Sequence, residues 1–487
     1  MKLFSYKKPL ITLIIVFSLY FIGLSFIKLK AEQKLLDIEG LNFVELNISL
    51  LGDLSIEKVN YKSPKLKLDA EQVKLNLGYI SIITGSQVEI DHLLLNTASV
   101  EVNINRKHSQ DNQEIGQSQN QKVSLNQLEL ERVNLKINNA KKTTSFVNIN
   151  TLVNQVNNYN NFNLEQISYL RFDFLNYPIN HLQKLQLSDF DYKNKLFNLS
   201  RFKILPLFSK HDYGKQISHE TDLMHLEAFS VNSTLAGFDF KNAKLSNLRL
   251  SLLEIDSLNF KISRDKTLKD DKSLKLSYAQ QLQNLKFKFM LDSLWVNKAA
   301  ITYEEKHKLT KDFAPVVFND LNLTLSNLNN LNLPESSNLA RLNAQFKLNK
   351  ASKIKLGLQY NLSTSTEDFT AEVSGQNILA SRFSELLEQS VKTGISGKFN
   401  SVKTKIKARD NSASGTFNLN SSDVEVTLYN NKGRKRQFVS LMANKMIKRS
   451  LNTSLHLENI EKDQTKSLWN FIWSFVNSGL KKALLKF

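Results

Sequence analysis

Residues able to carry covalent chemistry are few in this chain, and their spacing does not assemble them. There is no cysteine, which removes disulfides, thiolate nucleophiles and cysteine-ligated zinc. The eight histidines are scattered. The tightest group, His219 and His225 with Asp222, fits no zinc motif and reads as a polar surface loop. Glu304 and Glu305 read as part of a charged turn, and nothing marks them as a paired acid and base. No Gly-x-Ser-x-Gly elbow is present, and the fifteen glycines form no phosphate-cradling loop. No catalytic residue, cofactor or metal site is expected, so an enzyme ranks last among the function classes.

What recurs instead is apolar side chains at a fixed spacing, whose chemistry is the exclusion of water. Val88, Ile90, Leu93, Leu95, Ala98, Val100 and Val102 alternate with mostly polar residues, the mark of a strand with one dry face. The phase slips twice. At Asp91-His92 the slip fits a bulge; at Asn96-Thr97 it fits a tight turn, so the stretch reads as a hairpin. The same template returns as Val123, Leu125, Leu128, Leu130, Val133, Leu135, Ile137 and as Leu248, Leu250, Leu253, Ile255, Leu258, Phe260, Ile262. It returns again as Phe289, Leu291, Leu294, Val296, Ala299, Ile301, Tyr303. A further copy, Leu185, Leu187, Phe190, Tyr192, Lys195, Phe197, Leu199, has Lys195 as its one exception. With 41% apolar residues, chance gives a full match about once in 500 starts, or about one per chain of this length. Four full matches exceed that, at irregular intervals that exclude a fixed-length solenoid repeat.

The elements that must position these rows are strands. Shorter alternating runs precede them at Leu54, Ile56, Val59, Tyr61, at Leu66, Leu68, Ala70 and at Val73, Leu75, Leu77, with a helical turn expected over residues 79–84. Clean alternation returns over residues 318–325, 342–348 and 354–362. The period becomes helical at Ile378, Leu379, Phe383, Leu386, Leu387 and Val391, with Gly394 placed to end the helix. A second helical stripe closes the chain: Leu468, Phe471, Ile472, Phe475, Val476, Leu480, Ala483, Leu484 and Phe487, flanked by Trp469 and Trp473. It is too charged to span a bilayer; it would lie in a membrane interface or cap the last strand. The fold class is therefore mostly β, an elongated antiparallel-rich sheet with a few short helices and a C-terminal amphipathic helix. Such a sheet hides its dry face either by stacking as sandwiches or by curling into a groove.

The net charge of +19 suits anionic lipid, but there is no arginine-rich helix, zinc finger or aromatic RNA-binding motif, so nucleic acid is not expected as a partner. The basic stretches at 434–436 and 445–449 read as solvated loops. Residues 9–27 carry no charge and are flanked by lysines; as a helix they would span about 28 Å, close to a bilayer core. They are expected to form a single-pass transmembrane anchor with the amino terminus in the cytoplasm.

This order of elements resembles the start of AsmA-like and TamB-like envelope proteins. The resemblance rests on the anchor, then Leu54-Ser-Ile-Glu-Lys-Val-Asn-Tyr, then residues 64–77 and 80–95, and is strongest over residues 1–105. It implies a β-sheet curled into a groove that moves or organises phospholipid between the membranes of a diderm bacterium. The expected organisation is a cytoplasmic tail and anchor over 1–30, an AsmA-like β region over 31–107 and a polar loop over 108–122. A groove of repeated hairpins follows over 123–463, then the amphipathic helix over 464–487. The chain would sit in the inner membrane with its bulk in the periplasm. The expected partners are phospholipids, the inner membrane through residues 9–27 and a membrane surface at 467–487. The residues expected to line the groove are Val88, Ile90, Leu93, Leu95, Val100, Val102, Val123, Leu125, Leu128, Leu130, Leu135, Ile137, Leu250, Ile255, Phe260, Phe289, Leu291, Val296 and Ile301. The competing class is a non-enzymatic envelope scaffold or assembly factor built of β domains.

Overall fold

Alternating apolar residues over long stretches are realised as long strands in a computed structural model of the chain. The structure describes residues 25, 28–49, 53–77, 88–104, 123–139, 142–157, 162–242, 244–306, 313–331, 333–334, 338–348, 352–381, 393–428, 430, 436–437, 440 and 450–484. Strand accounts for 68% of the described residues, in mostly antiparallel sheet that does not close on itself. Among the described residues no helix is long and apolar enough to cross a membrane. The anchor expected over 9–27 lies outside the described residues apart from Ser25, as do the helical turn at 79–84 and the polar loop at 108–122.

The chain divides into two compact units, residues 1–178 with 188–194, and residues 179–187 with 195–487. In the first, β1 (Leu41–Asn42) and β2 (Glu45–Ile48) both pair with β3 (Leu54–Lys62). Then follow β4 (Leu66–Leu77), β5 (Val88–Ile104), β6 (Val123–Asn139), β7 (Lys142–Asn154) and β8 (Ile167–Pro178). Each is antiparallel to the one before except β6, which runs parallel to β5. Phe172 is buried between Phe146, edge-on at 5.5 Å, and Phe190, stacked at 4.8 Å.

The strand β9 (Gln183–Lys193) is divided between the units. The second unit continues with β10 (Leu196–Pro206), β11 (Leu223–Lys241), β12 (Lys244–Asp265), β13 (Lys288–Lys306) and β14 (Ala314–Asn329). It ends with β15 (Leu339–Leu348), β16 (Ser352–Asn361), β17 (Phe369–Leu379), β18 (Thr393–Arg409), β19 (Ser412–Leu428) and β20 (Leu451–Glu461). Here too every pairing is antiparallel except β12 with β13.

Two expectations are corrected. The four full template copies are not hairpins: each lies within one strand of 17 to 22 residues. Their second phase slip is not a reversal. Thr97 in β5, Arg132 in β6 and Lys298 in β13 take left-handed φ values of 48°, 54° and 46°, adding one residue without turning the chain, so the dry side stays dry. The first slip is the expected bulge, since β4 pairs with Ile90 and His92 and skips Asp91. Only the imperfect copy contains a reversal. Asn194 and Lys195 both have positive φ, 53° and 66°, as a two-residue hairpin turn requires; Lys195 is polar because it sits in that turn. The helix expected from Ile378 also does not begin there. Ile378 and Leu379 belong to β17, and Gly394 lies in β18 opposite Thr427; Phe383, Leu386, Leu387 and Val391 fall outside the described residues.

The bulges are braced identically in both units. The Arg132 amide donates to Asn150 Oδ1 at 3.0 Å, and Asn150 Nδ2 donates to the Asn148 carbonyl at 3.0 Å. In β13 and β14 the Lys298 amide donates to Asn322 Oδ1 at 3.5 Å, and Asn322 Nδ2 to the Asp320 carbonyl at 3.3 Å. Asn148 and Asp320 are both left-handed, with φ of 55° and 49°. The register shifts fall at Leu130/Val133 in one unit and at Val296/Ala299 in the other, matching template positions.

The C-terminal stripe forms the helix Leu468–Leu484, which packs on β18, β19 and β20; its last expected member, Phe487, lies outside the described residues. Leu468, Phe471, Ile472, Phe475, Ala483 and Leu484 are buried in one cluster with Phe369, Ile406, Phe417 and Leu457. Gly479 lies over the Phe417 ring, where any Cβ would collide with it. Phe475→Ala is expected to lower unfolding stability by about 3–5 kcal/mol in denaturant titration, and Gly479→Val to lower it as well. Asn150→Ala and Asn322→Ala should each cost about 1 kcal/mol; no change in either would show that its bulge does not depend on the asparagine.

Candidate functional site

The template positions that repeat along the sequence become neighbours in space. In the β5–β6 ladder all seven pair one to one: Val88 with Val123, Ile90 with Leu125, Leu93 with Leu128, Leu95 with Leu130, Ala98 with Val133, Val100 with Leu135 and Val102 with Ile137. The β12–β13 ladder repeats this without exception, from Leu248 with Phe289 to Ile262 with Tyr303. A parallel ladder brings like positions together, so the copies are two pairs of contiguous apolar rows.

The rows differ in how far polypeptide covers them. In the first unit Ala98 and Val133, at the bulge, are buried, whereas Ile90, Leu93, Leu95, Val100, Val102, Leu125, Leu128, Leu130, Leu135 and Ile137 are only half-buried. Val88 and Val123 are described by backbone register alone. In the second unit Leu250, Leu291 and Val296 are buried, and Ile255, Phe260, Phe289 and Ile301 are half-buried.

Val296, Ala299, Leu321 and Ala344 form a small core, and the hydrophobic side chains packed against it, among them Ile255, Ile301, Leu323, Leu342 and Phe346, all come from β12 to β16. The hydrophobic side chains that pack on this core are thus all supplied by neighbouring strands of the sheet. Leu342 also packs against the helix-covered cluster, so the row face and the face under the terminal helix are continuous. Leu321, Leu323, Ala344 and Phe346 were outside the template; their signal was the plain alternation over 318–325 and 342–348.

The polar groups nearby are occupied by each other. Glu304 is buried, with Lys210, Lys261 (3.2 Å) and Ser263 on its carboxylate. Burial would raise its pKa, but the bonds from Lys210, Ser263 and Lys261 outweigh it and hold the carboxyl below the usual range. The arrangement is an ion-pair anchor. Arg264 grips Asp222 through two bonds of 2.6 Å. His219 meets Ser218 at 2.9 Å and His225 meets Glu227 at 3.3 Å, and among the described residues no group of three or more side chains could hold a metal ion. At the other end of the second unit, Glu367 takes Lys462 at 2.9 Å and the Tyr360 hydroxyl at 2.7 Å, fully buried. Burial, then the neighbouring Glu367, pushes the Tyr360 hydroxyl pKa up.

No protein-family model matches this sequence, and no curated protein matches it.

A carboxyl held low in the folded state stabilises it above its ordinary range, and that contribution is lost as pH falls. For Glu304 the loss begins below about 4.5, so Glu304→Gln should be less stable at neutral pH and flatten the acid limb of a stability–pH curve. An acid limb identical to that of the parent would sink this assignment. Lys462→Met, which strands Glu367 in the core, should cost about 3–5 kcal/mol in thermal or denaturant unfolding.

Proposed function

We propose that this chain is a membrane-anchored, periplasmic, non-enzymatic protein that holds phospholipid acyl chains against its apolar rows and contributes to lipid transport or outer-membrane homeostasis. One observation carries the reading. A single apolar face is sealed by the terminal helix over β18 to β20, yet stays half-exposed where the template rows run through β12 and β13. The rows of β5 and β6 are half-exposed in the same way. Water is a poor neighbour for such rows. Acyl chains would remove that penalty at about 0.8 kcal/mol per buried methylene.

The charge-free segment at 9–27 and the likeness of residues 1–105 to AsmA-like and TamB-like proteins support the same reading. So does the outer side of the terminal helix. Trp469 and Trp473 are 45% and 38% exposed and Lys481 and Lys482 are exposed, a composition suited to a membrane–water boundary. The alternative, an envelope scaffold, draws on the helix-filled end of the second unit, whose core is complete without a ligand.

The full chain, extracted in mild detergent, should carry phospholipid detectable by mass spectrometry. Leu93→Asp with Leu128→Asp, which charges directly paired row positions, should reduce the lipid several-fold while the β circular dichroism signal persists. A parent protein that is lipid-free and stable would favour the scaffold.

A further inference from the structure

Near the start of the second unit's apolar rows, four lysines line an open hollow whose lining, among the described residues, holds no carboxylate. Lys241 and Lys244 face each other across the end of the β11–β12 hairpin. Lys288 opens β13 and pairs with Asn247, and Lys286 lies just before it. All four are exposed and line a cavity of about 560 Å³. The wall is rigid. Asn330 Nδ2 donates to the Phe287 carbonyl at 2.8 Å while its Oδ1 accepts the Phe289 amide at 2.7 Å, and Gln283 is tied to the Leu362 carbonyl at 2.8 Å. The nearest carboxylate along β11, Asp239, accepts from Asn247 Nδ2 at 2.7 Å and is not among the residues lining the hollow.

Four cations lining one hollow without a carboxylate in that lining favour an anion there. Lysine supplies three donors as a point charge, which suits a phosphate oxygen approached from several directions. The apolar rows start one residue further along, at Leu248 and Phe289, on the opposite face of the strands from Asn247 and Lys288.

We infer that the hollow framed by Lys241, Lys244, Lys286 and Lys288 binds a phosphate ester. Two sources share that chemistry, a phospholipid headgroup and a free phosphoester. The headgroup source rests on the acyl-chain reading above; the anion site does not.

The full chain in an uncharged detergent tests this with three probes: glycerol 3-phosphate, phosphatidylglycerol and phosphate-free diacylglycerol. The parent should bind glycerol 3-phosphate and retain phosphatidylglycerol over diacylglycerol. The combined K241Q, K244Q, K286Q and K288Q variant should weaken both phosphate-dependent readouts about tenfold or more, the scale of a lost charge-assisted hydrogen bond, while diacylglycerol retention stays the same. The four corresponding lysine-to-arginine changes should restore both. If glycerol 3-phosphate binds in a lysine-dependent way but neither lipid is retained, the site stands for free phosphoesters and the acyl-chain reading fails. Failure of the parent to bind either phosphate probe, or undiminished binding by the glutamine variant, overturns the site.

Discussion

Everything in this molecule depends on keeping one face of very long strands dry. A strand of 17 to 22 residues is several times the usual length, and its twist accumulates along the way. Strict alternation over that distance would fix side chains to faces that the twist carries away from the core. The left-handed residues Thr97, Arg132 and Lys298 break the alternation at one template position and reset it. Each is a residue type that resists positive φ, so the conformation must be held from outside. For Arg132 and Lys298 it is held by an asparagine on the next strand that accepts the bulge amide.

That device occurs twice, once in each unit, with the parallel pair beside it in both. A parallel ladder is an unusual choice between strands that could have been joined by a tight turn. Its consequence is direct: like positions pair with like, so two copies of an apolar pattern become one row two strands wide. An antiparallel pairing of the same two stretches would have reversed one copy against the other.

The two ends of the apolar face in the second unit meet different fates. Over β18 to β20 the terminal helix covers the apolar face, and Phe417, Leu457 and Phe475 reach essentially zero exposure. Toward β12 and β13, Ile255, Phe260 and Ile301 stay half-buried. Polar groups in this unit are consumed in pairs such as Glu304 with its lysines and Glu367 with Lys462 and Tyr360. The rows of β12 and β13 therefore keep an exposed part that the helix-covered end lacks.

The amino-acid sequence by itself determined the mostly β character, the row residues, the first bulge at Asp91 and the amphipathic stripe of the terminal helix. Each of these is a local periodicity, and local periodicity is what side-chain order records. The sequence did not distinguish a turn from a bulge at Asn96-Thr97, because both shift the phase by one residue and both favour small polar side chains. It misplaced Ile378 and Leu379, since two adjacent apolar residues fit the start of a helix as well as the end of β17. Only the tertiary structure decided that the copies of the template lie side by side, that the terminal helix spends its apolar stripe on the sheet, and that four lysines from two separate stretches frame one hollow. Those outcomes depend on which strand pairs with which, a choice made by hydrogen bonds between residues distant in the chain and invisible in the spacing along it.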